Sequence, residues 1–268
     1  MPEGDSVYLV ARRLDTALRD RMLTAGELRV PQHATADLAG RTVLGHDTHG
    51  KHLLTRLDGD GGLTLHTHLR MDGSWTVVRA GRQLPARLDG DIRVRLGADD
   101  GQVAYGLSIP VVELIKTDEE DSVVGHLGPD PLRKDWDAAV AVERLSSDPS
   151  RPLAAALLDQ RLVAGLGNLW ANELAFLRGH SPWTPIGDVD VPALVRLAAR
   201  ALRVSATVEG MYQVTTGNRR RGEQHWVTGR AGRPCLRCGT PVRVAAETAD
   251  ERRTWWCPHC QPGPTRNG

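Results

Sequence analysis

Apolar side chains at Val7, Val10, Leu14 and Leu18 recur every three or four positions, which lines them along one face of a helix. That helix opens near Asp5 or Ser6, either of which can cap it. Behind it the period falls to two. Leu63, Leu65, Thr67 and Leu69 alternate with polar neighbours, as do Ile92, Val94 and Leu96, and Gly-Asp turn signals stand at 58–62 and 89–91. Strands with one wet face joined by short turns predict an antiparallel sandwich or barrel. At GHLGPDP, residues 125–131, the density of Gly and Pro interrupts every pattern. The chain beyond is rich in Ala and Leu without alternation, and its spacing predicts helices over about 136–146, 151–160, 168–178 and 190–208. The expected divisions are a β-rich domain over 1–123, a linker over 124–135, a helical domain over 136–226, a cysteine-bearing module over 227–261 and a disordered Pro/Gly tail over 262–268.

Length and charge narrow the class. With 268 residues the chain is long enough for about two domains, which excludes collagen, coiled coil and disorder. Its 34 basic and 33 acidic side chains leave a net charge of +1, so no global positive field marks it. The distribution says more: residues 1–123 carry net −4, residues 124–268 net +5, and 217–243 hold seven Arg against one Glu. A polyanion partner is therefore expected mainly on the C-terminal half. MPEGDS has no basic-then-apolar leader pattern and no stretch approaches roughly 18 uncharged apolar residues, so a cytoplasmic protein with no membrane partner is expected.

Three local signals carry chemistry. Cys235-x2-Cys238 is followed, after eighteen residues, by Cys257-x2-Cys260, the spacing of a four-thiolate zinc ribbon. Two such turns offer four ligands to one structural Zn2+, and four protein ligands leave no open catalytic position. Four free buried thiols would not cluster this way, and His259 reads as a solvent-facing bystander. The second signal is Ala164-Gly165-Leu166-Gly167-Asn168 ahead of a helix, where glycines let an anion approach exposed N–H groups. The same residues more often make a plain turn between packed helices. The third is Pro2 beside Glu3. If Met1 is removed, Pro2 carries a free secondary amine that is roughly 10 to 15% neutral at pH 7, against about 0.04% for a lysine. Such an amine is ready to form an imine.

In this order the pieces resemble the formamidopyrimidine-DNA glycosylase and endonuclease VIII family of base-excision repair. The blocks are PEG at the start, HGKHLL (49–54), HLRMDGSW (68–75), HLGPDPL (126–132), LLDQRLVAGLGNLWANELAF (157–176), VTGRAGRPC (227–235) and RRTWWCPHCQ (252–261), and their details look closest to an actinobacterial endonuclease VIII-type subgroup. The resemblance implies an α+β multidomain fold: an N-terminal catalytic β-sandwich with a leading helix, then a helix-two-turn-helix domain and a zinc finger. It implies a bifunctional DNA glycosylase and AP lyase. Pro2 would attack C1′ of the damaged nucleotide, Glu3 would supply or relay the proton that opens the sugar, and β- then δ-elimination would nick the strand. Lys51 matches the lysine near the reacting nucleotide's phosphate, whose plain alternative is an exposed strand lysine. Asn168 matches a phosphate-binding asparagine, alternatively a simple helix cap. Arg252 matches the zinc-finger arginine that grips phosphate, with Arg253 open as the true equivalent. Met71 matches the residue that fills the emptied stack, with Arg70 as a polar contact; the alternative is a Met packed at a strand end.

Departures set the lesion expectation. The family's second early carboxylate, from a PE-x-PE start, is Ser6 here; the purine branch's Arg-x-Phe wedge is Val103 and Tyr105; the arginine before Gly-Pro is Leu127; and the segment from Thr216 to Trp226 is short. Oxidised pyrimidines are therefore expected as substrates. A purine-directed enzyme and a non-catalytic damaged-DNA-binding protein are the alternatives. The expected partner is damaged double-stranded DNA, with single-stranded or bubble DNA left open, and the expected state is a monomer.

Overall fold

The computed structural model describes residues 2–59, 61–245 and 252–265, and the chain divides into two compact units, residues 1–126 and 127–268.

In the first unit α1 (Gly4–Leu18) buries Val7, Leu14 and Leu18 of the predicted stripe, with Val10 half-buried against the same core and Ala11 buried beside them. The cap differs from expectation. Glu3 occupies the N-cap, Asp5 lies buried in the first turn, and the Ser6 hydroxyl accepts the Glu3 N–H at 3.2 Å. Eight strands follow: β1 (Leu23–Leu28), β2 (Val43–His49), β3 (His52–Leu57), β4 (Leu63–His68), β5 (Ser74–Val78), β6 (Ile92–Ala98), β7 (Val103–Leu107) and β8 (Val111–Lys116). They form two antiparallel four-stranded sheets, ordered β1-β6-β7-β5 and β2-β3-β4-β8. A short turn of helix, α2 (Asp121–Val124), closes the unit. Leu14 and Leu18 of α1, Leu53, Leu57 and Leu65 of one sheet and Val94, Leu96 and Ala104 of the other share one core. Each large side chain taken from water there contributes roughly 1.5–3 kcal/mol.

The expectation of one wet face fails on β4, where Thr64 and His66 are buried along with Leu65 and Thr67. The cause is a polar layer on the second face. The Glu120 carboxylate takes two hydrogen bonds from Arg56, at 2.8 and 2.7 Å, and one from the Thr64 hydroxyl at 2.7 Å. Farther along, imidazoles cover His66. Alternation in sequence reports polarity, and here the hydrogen-bonded side chains of Thr64 and His66 are buried as fully as leucines.

The second unit holds α3 (Ala138–Ser146), α4 (Leu153–Leu158), α5 (Asn168–Arg178) and α6 (Val191–Thr207). Asp137 and Asp190 cap α3 and α6 by accepting backbone N–H groups, and Gly179, at φ 74°, ends α5 in the left-handed conformation. Helix α4 is shorter than its apolar run because Pro152 stands at its N-cap and Asp159 turns away to take Arg151 and Arg161 at 2.8 and 2.7 Å. Leu145, Leu157, Trp170, Leu174, Leu194 and Leu202 form this unit's core. Gly128 and Pro129, expected within a linker, instead pack here. The Gly128 N–H donates to Gln160 O at 2.8 Å and the Pro129 carbonyl accepts from Ala164 N–H at 3.0 Å. A Cβ on Gly128 would meet the Arg161 and Leu162 carbonyls at 2.7 Å, so only glycine fits.

A third cluster gathers Phe176, Val227, Cys235, Val242 and Cys257 around a small hairpin, β9 (Arg243–Ala245) paired with β10 (Thr254–Trp256). The tail departs from expectation at its start. Buried Gln261 donates to His180 O at 2.9 Å and accepts the Cys257 N–H at 2.9 Å, and the Ser181 hydroxyl donates to Pro264 O at 2.5 Å. Residues 262–265 are thus anchored, and 266–268 lie outside the described residues.

Candidate active site and nucleic-acid interface

Pro2 precedes Glu3, the N-cap of α1, and Glu3 is 1% exposed. Ser6 fills the hydrogen-bonding place that a glutamate at this position of a capping box would take, which accounts for the loss of the second carboxylate without loss of the helix. Met1 lies outside the described residues.

Lys51 is not an exposed strand lysine. It sits with Gly50 in the two-residue turn between β2 and β3, where His49 pairs with His52, and it is 9% exposed. Gly50 has φ 58°, which a tight hairpin turn demands and which other residues adopt only with strain.

Arg70 and Met71 occupy the turn after β4. Arg70 is left-handed, φ 46°, and its N–H donates to His68 Nδ1 at 3.1 Å. The Gly73 N–H returns to Leu69 O at 2.9 Å, and a Cβ on Gly73 would meet that oxygen at 2.7 Å. This tight loop presents Met71 to solvent, 64% exposed, so the side chain is not packed at a strand end. A non-glycine residue at positive φ costs on the order of 1–3 kcal/mol, a cost the surrounding bonds must offset.

In the second unit the Gln160 side chain braces the glycine turn. It donates to Leu158 O and Leu166 O at 3.0 and 2.8 Å and accepts the Gly165 N–H at 3.1 Å. Gly167 takes the N-cap of α5, so Asn168 is not the cap; its amide donates to Arg253 O at 2.9 Å. Asn172, one turn on, donates to Asn168 O at 2.6 Å and accepts the Trp255 N–H at 3.0 Å. The start of α5 therefore grips the chain entering β10 and holds exposed Arg252 and Arg253 beside it. Sequence reasoning missed Asn172, although its i,i+4 relation to Asn168 was the available signal. It also missed Glu173, fully buried, whose carboxylate accepts the N–H groups of Trp226, Val227 and Thr228 at 2.8, 3.0 and 2.8 Å and the Thr215 hydroxyl. That one carboxylate fastens the arginine-rich segment to α5. Within the segment Arg219 donates to Glu209 O at 3.1 Å, which engages part of its guanidinium.

The four cysteines converge. Their Sγ atoms all lie within 4.8 Å, with Cys235–Cys260 at 4.0 Å and Cys238–Cys257 at 3.5 Å. Disulfides need about 2.05 Å, whereas four sulfurs each about 2.3 Å from one tetrahedral ion stand roughly 3.8 Å apart. Hydrogen bonds from Thr240 hold Cys238 down to about 6, while burial pushes Cys257 and Cys260 up. A shared dication would let all four exist as thiolates, so these residues fit a structural metal ion. His259 is exposed and outside the cluster.

Comparison with known proteins decides the family. The formamidopyrimidine-DNA glycosylase N-terminal domain matches residues 1–106 and the formamidopyrimidine-DNA glycosylase H2TH domain matches 127–211. A probable endonuclease 8 2 of Streptomyces coelicolor is 50% identical over 98% of this chain and 95% of its own. The chain belongs to the formamidopyrimidine-DNA glycosylase and endonuclease VIII family. A second relative, the DNA-(apurinic or apyrimidinic site) lyase Nei2 of Mycolicibacterium smegmatis, is 41% identical over 97% of this chain and 99% of its own. Lactococcus lactis Fpg, solved with abasic-site DNA, shares the fold at a TM-score of 0.77 and 24% identity, over 97% of this chain and all of that one. This glycosylase is thus a base-excision repair enzyme with AP lyase activity, and DNA is its partner. Among the described residues no helix is long and apolar enough to cross a membrane.

Proposed function

We propose that the enzyme excises oxidised pyrimidines from duplex DNA through a Schiff base on Pro2, acting as a monomer in the cytoplasm. The observation that carries the reading is the placement of Pro2 at the mouth of α1 with Glu3 buried at the cap. With Met1 removed, the Pro2 amine attacks C1′, Glu3 moves the proton that opens the sugar, and the base leaves. The cationic imine acidifies the 2′ hydrogen, so the C2′–H pair becomes a C2′=C3′ bond as the 3′ phosphate departs. Lys51 is the acid at that phosphate. Cys235, Cys238, Cys257 and Cys260 would hold a Zn2+ that takes no part in the reaction and would fix the hairpin next to Arg252.

Asn168 and Arg252 grip the backbone, and most of the affinity is electrostatic. Arg252→Ala should flatten the slope of log affinity against log salt by about one. A slope equal to wild type would remove Arg252 from the phosphate contacts, and the same measurement on Arg253→Ala decides between the neighbours.

Two features favour pyrimidines. Val103 and Tyr105 are committed to the ladder of β7, paired with Gly97 and Arg95, so exposed Met71 and Arg70 are the wedge. The 216–226 segment is drawn into a tight turn, Thr216 hydroxyl to Glu223 O and Asn218 amide to the Glu223 carboxylate both at 2.6 Å, which leaves little chain to enclose a purine. Ring-saturated pyrimidines have already lost stacking and cost less to flip, whereas 8-oxoguanine stays planar. Single-turnover excision of thymine glycol should exceed that of 8-oxoguanine opposite cytosine by about tenfold or more, the equivalent of about 1.4 kcal/mol. The reverse order would move the enzyme to the purine branch.

A further inference from the structure

The second face of sheet β2-β3-β4-β8 carries a row of groups that the reading above leaves unused. Glu113 Oε2 lies 2.7 Å from His66 Nδ1, and His66 Nε2 lies 2.9 Å from His52 Nδ1, the two rings stacked 5.1 Å apart. An ionised carboxylate only accepts, so His66 Nδ1 carries its proton and, in the neutral ring, Nε2 accepts. His52 Nδ1 must then donate, which leaves His52 Nε2 as a lone pair. The row is polarised from end to end. Its outer end, Glu113, is 45% exposed, and its middle, His66, is 3% exposed. Its inner end adjoins Lys51 in sequence and packs edge-on against His68, at 4.7 Å, and His126, at 6.2 Å. His49 also faces His52, and Lys51 and Arg70 face His68.

We infer that Glu113, His66 and His52 form a proton relay between bulk water and the Lys51 end of the active site, serving the lyase step. As C2′–H breaks, its electron pair makes the C2′=C3′ bond and the phosphate leaves with the C3′–O pair. The C2′ proton is collected at His52 Nε2, the His52 Nδ1 proton passes to His66 Nε2, and the His66 Nδ1 proton passes to Glu113 and to water. Lys51 protonates the departing phosphate. A proton entering through Glu113 then drives the row in reverse, releases Nε2–H of His52 to recharge Lys51 and restores the resting tautomers, so the cycle balances. Burial and the surrounding imidazoles hold His52 down to about 3 and its neighbour His68 to about 4, so the inner end of the row stores no cation at rest. A bound phosphate raises both, since an opposite charge favours the imidazolium.

The inference rests on the Pro2 imine, and the test separates the two. Glu113→Gln changes a half-exposed side chain and leaves an amide that cannot take up the proton. On abasic DNA, borohydride trapping of this variant should match wild type while elimination from the imine slows by roughly 100-fold, the lower end of what general acid–base catalysis contributes. Glu113→Asp should recover part of the rate. Added imidazole at constant pH should accelerate Glu113→Gln and not wild type, an effect that a merely structural carboxylate would not produce. Wild-type elimination in Glu113→Gln, or a slow variant indifferent to imidazole, overturns the relay and leaves the imine standing. Failure of wild type to trap overturns the imine reading.

Discussion

Enzyme that keeps Met1, or carries any added residue before Pro2, should lose borohydride cross-linking to abasic DNA and nicking by roughly 300-fold or more at pH 7. The figure is the ratio of neutral amine at an ordinary N-terminus to that at an ordinary lysine; it applies because the new terminal amine, though as often neutral, is displaced from Pro2's place beside buried Glu3, which leaves Lys51 as the amine still held at the site. Pro2→Gly keeps an amine and should weaken cross-linking less. For the mature enzyme the active species is the deprotonated amine, so the trapping rate should climb with pH and level off above the ordinary α-amino range of about 8. Mass spectrometry of the N-terminus beside each trapping reaction checks the assignment. Undiminished trapping by protein with Met1 proven present would remove Pro2 from the mechanism.

Cys257→Ser should release metal and DNA together. Cys257 is fully buried at the centre of the third hydrophobic cluster, and the hairpin it closes has three-residue strands that cannot hold themselves. Structural zinc contributes about 10–16 kcal/mol to small modules of this kind. Without it the chain entering β10 loses its hold on Asn168 and Asn172, and Arg252 and Arg253 are no longer presented beside α5. Two lost charge-assisted contacts at about 1.5 kcal/mol each correspond to roughly a hundredfold weaker binding. Metal analysis of wild type should give one zinc per chain. Purified enzyme with well under one zinc that still nicks DNA would show that the cluster has another role.

The extent to which the chain's function is legible without coordinates varies with the range of the interaction concerned. The α1 stripe, the limits of α5 and each Cys-x2-Cys turn are local: each depends on residues within a few turns of one another, so spacing alone carries them, whereas Pro2 and Glu3 were singled out by the resemblance to the family. Other features needed partners far along the chain. Lys51 looks like any strand lysine until the β2–β3 turn buries it, and Asn168 looks like a cap until Arg253, 85 residues on, is found against its amide. Glu173 reads as a surface helix residue, yet it takes backbone N–H groups 53 to 55 positions away. The row from Glu113 through His66 to His52 joins three strands whose pairing register aligns it, and polar residues on alternating positions gave no hint that their side of the sheet was closed to water. Periodicity records which side chains avoid water on their own account. Which polar groups are buried is decided only in the tertiary structure, where Glu173, Thr64 and His66 exchange water for hydrogen-bonding partners far along the chain.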